Sequence, residues 1–150
     1  MPVYIALGSN LGDSAATIKR VFAELQKLSD KPIHKSSLWR STPVDCPPGS
    51  PDFINAVVAI EPLPEETPES LLVKLQTLEV QFGRQPKVTV NEPRPLDLDI
   101  IAYEEKTRKT PQLTLPHPRW HQRRFVLEPL NEIASDAILP GQIQPVIQLL

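Results

Sequence analysis

Two acids one residue apart, Asp97 and Asp99, are the side chains of this chain best placed for chemistry, within Pro93-Arg94-Pro95-Leu96-Asp97-Leu98-Asp99-Ile100-Ile101. Side chains alternate along a strand, so both carboxylates would share one face about 7 Å apart while Leu98 and Ile100 turn into a core. Mg²⁺ prefers hard oxygen ligands and is usually held by one or two carboxylates together with substrate phosphates. The pair therefore has the chemistry to hold one or two such ions. On spacing alone, two exposed acids on the solvent face of a half-buried strand are also an open reading.

The cations around this segment favour the metal. Arg84 and Arg94 lie on either side of a Pro-interrupted loop, and His117, Arg119, Arg123 and Arg124 follow. Guanidinium forks match phosphate oxygens and stay charged, so arginines converging on a metal-carboxylate centre suit a polyphosphate substrate. Taken singly, each is an ordinary surface charge. A two-metal nuclease or phosphatase could use the same groups, and a non-enzymatic small-molecule-binding or regulatory module would leave the acids merely exposed. Other nucleotide motifs are absent. Gly8-Ser9-Asn10-Leu11-Gly12-Asp13 lacks the Gly-Lys-Ser/Thr ending of a phosphate loop and does not match a dinucleotide fingerprint. There is no nucleophile elbow and no H-E-x-x-H zinc site.

The elements that must carry these residues follow from periodicity. Tyr4-Ile5-Ala6-Leu7, stopped by Gly8-Ser9-Asn10, suits a buried strand entering a turn. Asp13 or Ser14 can cap a helix whose apolar face is Ile18, Val21, Phe22, Leu25 and Leu28. Strand character returns over residues 33–40 and again over 53–60, where Pro62 ends it. Thr67-Pro68-Glu69-Ser70 reads as a helix start, Leu71, Leu72, Leu75, Leu78 and Phe82 as its apolar face, and Gly83 as its end. Residues 96–103 form the last strand, and residues 123–130 a short helix packed on the core. The order β-α-β-β-α-β predicts a ferredoxin-like α+β sandwich, an antiparallel sheet with helices on one face and extra C-terminal elements.

At 150 residues, 40% apolar and 23% charged, the chain predicts a single globular domain over 1–150, and a net charge of -2 offers no overall basic surface for nucleic acid. A lone Cys46 builds neither a disulfide framework nor a zinc site of the usual spacing. No run approaches the roughly 18 apolar residues of a membrane span, and the N-terminus lacks a basic region followed by an apolar stretch. A cytoplasmic protein is expected.

Gly8-Ser9-Asn10-Leu11-Gly12, Thr42-Pro43, Asp52-Phe53-Ile54-Asn55-Ala56, Phe82-Gly83-Arg84, the Asp97 segment, Pro116-His117-Pro118-Arg119 and Arg123-Arg124-Phe125-Val126-Leu127-Glu128-Pro129-Leu130 together resemble the hydroxymethyldihydropterin pyrophosphokinase family. The resemblance runs over nearly the whole chain. It implies Mg²⁺-dependent transfer of pyrophosphate from ATP to the hydroxymethyl group of a reduced pterin, a step of folate biosynthesis. By that resemblance Asp97 and Asp99 hold two Mg²⁺ ions, and Arg84, Arg94 and Asp97 are catalytic. Gln76, Glu79, Arg84, Arg94, Ile100, Thr114, His117 and Arg123 serve the nucleotide. Phe53 and Phe125 sandwich the pterin, while Asn55, Thr42, Pro43 and Val44 meet its polar edge. The implied partners are ATP and a pterin; neither nucleic acid nor membrane is expected as a partner on composition, and a monomer is expected. Pro86, Asn91 and Gln112 depart from residues common in the family, where an Arg, a Trp and an Arg stand. The Pro-rich loops 41–51 and 83–95 are long for so small a domain and are expected to act as lids.

Overall fold

The computed structural model describes residues 1–42, 48–84 and 95–150. Strand β1 (Val3–Ser9) leads into helix α1 (Ser14–Gln26), and β2 (His34–Lys35), β3 (Trp39–Ser41) and β4 (Phe53–Ile60) follow. Helix α2 (Pro68–Gln81) and β5 (Asp97–Tyr103) complete the core order. A small hairpin, β6 (Arg108–Lys109) with β7 (Thr114–Leu115), precedes α3 (Arg124–Ala134). The main sheet is antiparallel in the order β2-β4-β1-β5, with β3 continuing β2 along the same edge of β4. This is the arrangement of a ferredoxin-like α+β fold.

The helices begin where local chemistry favours it. Asp13 accepts the Ala16 N–H at 3.2 Å as N-cap of α1. Helix α1 stops at Gln26, and tighter bonds from Leu28 N–H to Leu25 and from Lys27 N–H to Glu24 carry the apolar stripe one further turn. Thr67 and Ser70 exchange side-chain bonds with each other's backbone N–H, with Pro68 opening the helix. Gly83, at φ 99°, ends α2 in a Schellman turn: Arg84 N–H bonds Glu79 C=O and Gly83 N–H bonds Val80 C=O, both at 3.0 Å. That turn points Arg84 back toward β5.

Both faces of the sheet are covered. Val3, Ile5 and Leu7 of β1, Ala56, Val58 and Ile60 of β4, and Leu98 and Ile100 of β5 meet α1 and α2. The alternate residues Ala6, Val57, Ile101 and Ala102 meet Val126, Leu127 and Leu130 of α3 on the opposite face, closed by Trp120, Leu139 and Val146. The expected C-terminal extras are thus a third layer, and only α1 and α2 share one side.

Two irregularities were not foreseen. The strand expected over 33–40 is broken, because Ser36, Ser37 and Leu38 on the edge stand opposite only Val57 and Ala56 between the pairs Lys35↔Val58 and Trp39↔Asn55. Buried Ser36 accommodates the extra residue by bonding Val57 twice, its N–H donating to the Val57 carbonyl and its hydroxyl oxygen accepting the Val57 N–H, both at 2.9 Å. In β5 the register against β1 shifts between Tyr4 and Ile5, so Ile101 and Ala102 both face α3. Tyr103 returns to the helix side, its hydroxyl donating to the Glu66 carbonyl at 3.0 Å.

Leu130 is fully buried between α3 and the sheet. Leu130→Ala should cost about 2–5 kcal/mol and lower the urea midpoint by roughly 1 M or more. Chemical denaturation checks this.

Candidate active site

On the α3 side, past the end of the helix, the sheet is left open as a cleft of about 760 Å³. Its floor is a row of residues paired across four strands: Trp39 opposite Asn55, Asn55 opposite Gly8, and Gly8 opposite Asp97. Next to it run Val57, Ala6 and Asp99. At about 4.8 Å per strand, Asn55 and Asp97 stand roughly 10 Å apart. Gly8 leaves the space between them flat. A Cβ at Gly8 would lie 3.5 Å from Asn55 Oδ1 and 3.6 Å from the Phe53 ring, ordinary contacts, so any longer side chain would rise into the cleft.

One end of the cleft is acidic. Asp97 and Asp99 both line it, while Leu98 between them is in the core, as alternation requires. Arg84 Nη1 donates to Asp97 Oδ1 at 3.0 Å and to Glu79 Oε2 at 2.9 Å. The same Glu79 oxygen accepts the Leu98 N–H at 2.9 Å, tying the end of α2 to the outer edge of β5. Burial is the main cause of a raised Glu79 pKa, with the Asp97 charge adding to it and the Leu98 and Arg84 donors opposing it. For Arg84, burial alone would lower the pKa, but Glu79, Asp97 and Asp99 raise it above the ordinary value. The guanidinium is firmly cationic.

The other end is aromatic and polar. Phe53 and Phe125 both line the cleft, from β4 and from α3. Asn55 is buried and its Nδ2 donates to Ser41 Oγ at 2.7 Å, so β3 orients the amide. Thr42 lines the same end, whereas Pro43, Val44 and Arg94, with Pro86 and Asn91, lie outside the described residues. The exit from β1 is anchored here too: Asn10 is buried and its Nδ2 donates to the Pro51 carbonyl at 3.3 Å.

His117 and Arg123 reach the rim from the C-terminal segment. The His117 N–H bonds the Ile101 carbonyl at 2.8 Å, and its Nδ1 accepts the Arg119 N–H at 3.3 Å. Burial, then the Arg123 charge, lowers its pKa, with Asp97 opposing. The Arg123 guanidinium sits 5.5 Å from the centre of the Phe125 ring. Arg124 is instead paired with Glu128, its neighbour one helical turn on, at 2.6 Å.

Of the described residues assigned to the nucleotide, Arg84 bonds Asp97 without lining this cleft, and four others do not line it either. Gln76 is exposed on α2, Thr114 is exposed on β7, and Glu79 is buried beneath Arg84. The Ile100 side chain is in the helix-side core, so only its backbone can serve a ligand. Ile100 stands two residues beyond Leu98, whose N–H points to the outer edge of β5, so its backbone groups face that edge too. Helix α2 and β7 both pack against β5 there. Trp39 and Gly8 are among the cleft residues that sequence reasoning did not assign. The bulge at residues 36–38 hides the alternation that would expose Trp39.

The acids fit a metal of one kind. Among the described residues no group of three or more His, Cys, Asp or Glu could close an all-protein cage. Two carboxylates on one strand face instead suit a hard cation that completes its shell with water and phosphate oxygens.

Comparison with known proteins places the chain among pterin enzymes. The family model described as 7,8-dihydro-6-hydroxymethylpterin-pyrophosphokinase matches residues 4–135. The chain is 41% identical to the 2-amino-4-hydroxy-6-hydroxymethyldihydropteridine pyrophosphokinase of Haemophilus influenzae, covering 92% of this chain and 84% of that one. It is 35% identical to the enzyme of the same name from Synechocystis, covering 97% and 73%. It is also 40% identical to the folic acid synthesis protein fol1 of Pneumocystis carinii, covering 92% of this chain and 18% of that longer protein.

Two outcomes are expected. Gly8→Val suits a strand and should leave the melting temperature nearly unchanged, yet reduce turnover by more than about tenfold by filling the floor. Full activity in the folded variant would disprove that role for Gly8. His117 should titrate below its ordinary pKa of about 6.5 in an NMR titration. Since its folded pKa is depressed, its share of stability is present above that ordinary value and lost as pH falls through the folded one.

Proposed function

The chain belongs to the 7,8-dihydro-6-hydroxymethylpterin-pyrophosphokinase family, and from that premise we propose how its cleft carries out the reaction. The enzyme transfers pyrophosphate from ATP to the hydroxymethyl group of 6-hydroxymethyl-7,8-dihydropterin, in the synthesis of folate. The carrying observation is that one cleft joins Asp97 and Asp99, with Arg84 bonded to Asp97, to Phe53, Asn55 and Phe125 across a flat floor.

The pterin ring lies between Phe53 and Phe125, since a flat heterocycle stacks well on aromatic faces. Asn55, held by Ser41, meets its polar edge with Thr42, Pro43 and Val44. The hydroxymethyl arm then extends over Gly8 toward Asp97, which accepts a hydrogen bond from the attacking hydroxyl. ATP approaches from the outer edge of β5, its base near Gln76, Glu79, Thr114 and the Ile100 backbone. Its phosphates reach Arg84, Arg94, His117 and Arg123. Asp97 and Asp99 hold two Mg²⁺ ions, which when bound neutralise phosphate charge and align the displacement. A bond forms from the hydroxyl oxygen to the β-phosphorus while the bond from that phosphorus to the α–β bridging oxygen breaks; AMP leaves with the electron pair, and the hydroxyl proton is lost to solvent. Arg84 is suited to the accumulating charge because Glu79 and Asp97 already fix its position.

The product identifies the reaction. Incubation with Mg²⁺, ATP and the pterin should yield AMP, whereas a simple kinase yields ADP, and omitting the pterin or chelating the metal should abolish it. Asp97→Ala and Asp99→Ala should each remove most turnover in folded protein. Near-normal rates in both would overturn the metal assignment.

A further inference from the structure

We propose that Glu132 of α3, which does not touch the cleft, is a positioning residue that sets the spacing of the aromatic slot between the sheet and α3. The inference rests on the pterin reading above. Glu132 gathers three donors from the bulged edge strand: Ser37 N–H at 2.8 Å, Ser37 Oγ at 2.7 Å and Trp39 Nε1 at 2.9 Å. These residues lie 93 to 95 positions away in the chain, so the contact joins two separately built walls.

Each wall leads directly to a ligand group. Trp39 lines the cleft and stands opposite Asn55, and Ser41 of the same strand holds the Asn55 amide. On the helix, Phe125 and Glu132 are seven residues apart, which is two turns, about 10 Å along one face. One carboxylate thus pins the rod that carries Phe125 to the strand that carries Trp39 and Ser41. The bonds are made to an ionised acceptor and are of the stronger class. Burial alone would raise the Glu132 pKa, but the Ser37 hydroxyl, the Trp39 ring N–H and the Ser37 N–H together lower it. No cation forms a salt bridge with Glu132 among the described residues, so its charge serves these donors.

Glu132→Gln makes a sharp test because it keeps the shape and places an NH₂ where donors already converge. Calorimetry with 6-hydroxymethylpterin, in the presence of Mg²⁺ and a non-hydrolysable ATP analogue, should show pterin affinity reduced by roughly tenfold. Affinity for the analogue should be unchanged, and kcat at saturating pterin retained. Ser37→Ala, a milder change outside the cleft, should give a smaller loss of the same selectivity and decides the matter if Glu132→Gln does not fold. In the Trp39→Phe background, Glu132→Gln should cost less than in wild type, because the bond is shared. Unchanged pterin affinity, equal weakening of both ligands, or full additivity with Trp39→Phe would each overturn the role. If the wild-type protein itself does not bind the pterin, it is the functional reading that fails.

Discussion

Everything in the site depends on the register of β1 between its two neighbours. Gly8 faces Asn55 on one side and Asp97 on the other, so a single strand position brings the aromatic end and the acidic end into line. Because side chains alternate with period two, a one-residue slip of β5 against β1 would send Asp97 and Asp99 into the helix-side core and Leu98 into the cleft. The apolar residues on the helix side resist that slip. Val3, Ile5 and Leu7 have no other place to bury, so the core of one face holds the chemistry of the other in position.

Carboxylates do three different jobs around this frame, set by surroundings. Asp97 and Asp99 stand in the open cleft at a spacing suited to a cation. Glu79, the same functional group in a buried place, is occupied by a backbone N–H and a guanidinium and acts as a bracket. Glu132 lies near the surface and collects three neutral donors. The Schellman turn at Gly83 is what makes the Glu79 bracket possible, because it returns Arg84 to the helix end it has just left.

The parts of this architecture that rest on short-range patterns were legible in the sequence. Thr67 before Pro68, Gly83 after the Leu stripe, and the Asp97 and Asp99 alternation all carry their meaning within a few residues. The same patterns were silent on parity within Ile100-Ile101-Ala102-Tyr103, since a continuous apolar run does not say which residue is the bulge. The short helix after Arg123 was visible too, but nothing local states which side of the sheet it covers. Ile100 shows a related limit. Resemblance assigns it to the nucleotide, yet its side chain is core, and the distinction between backbone and side chain is not written in a motif. Trp39 went unassigned because an extra residue at the edge strand interrupts the alternation that would have marked it.

The third layer also bears on how the protein emerges from the ribosome. The sheet and both of its core helices are complete once β5 has been made, but one face then still exposes Ala6, Val57, Ile101 and Ala102. Only when α3 and the segment carrying Leu139 and Val146 have left the exit tunnel can that face close. The nascent chain therefore passes through a stage with a finished floor and no roof, when its bare apolar surface is open to chaperones or to other nascent chains. The cleft between the sheet and α3 is therefore completed late, when the last segments of the chain dock.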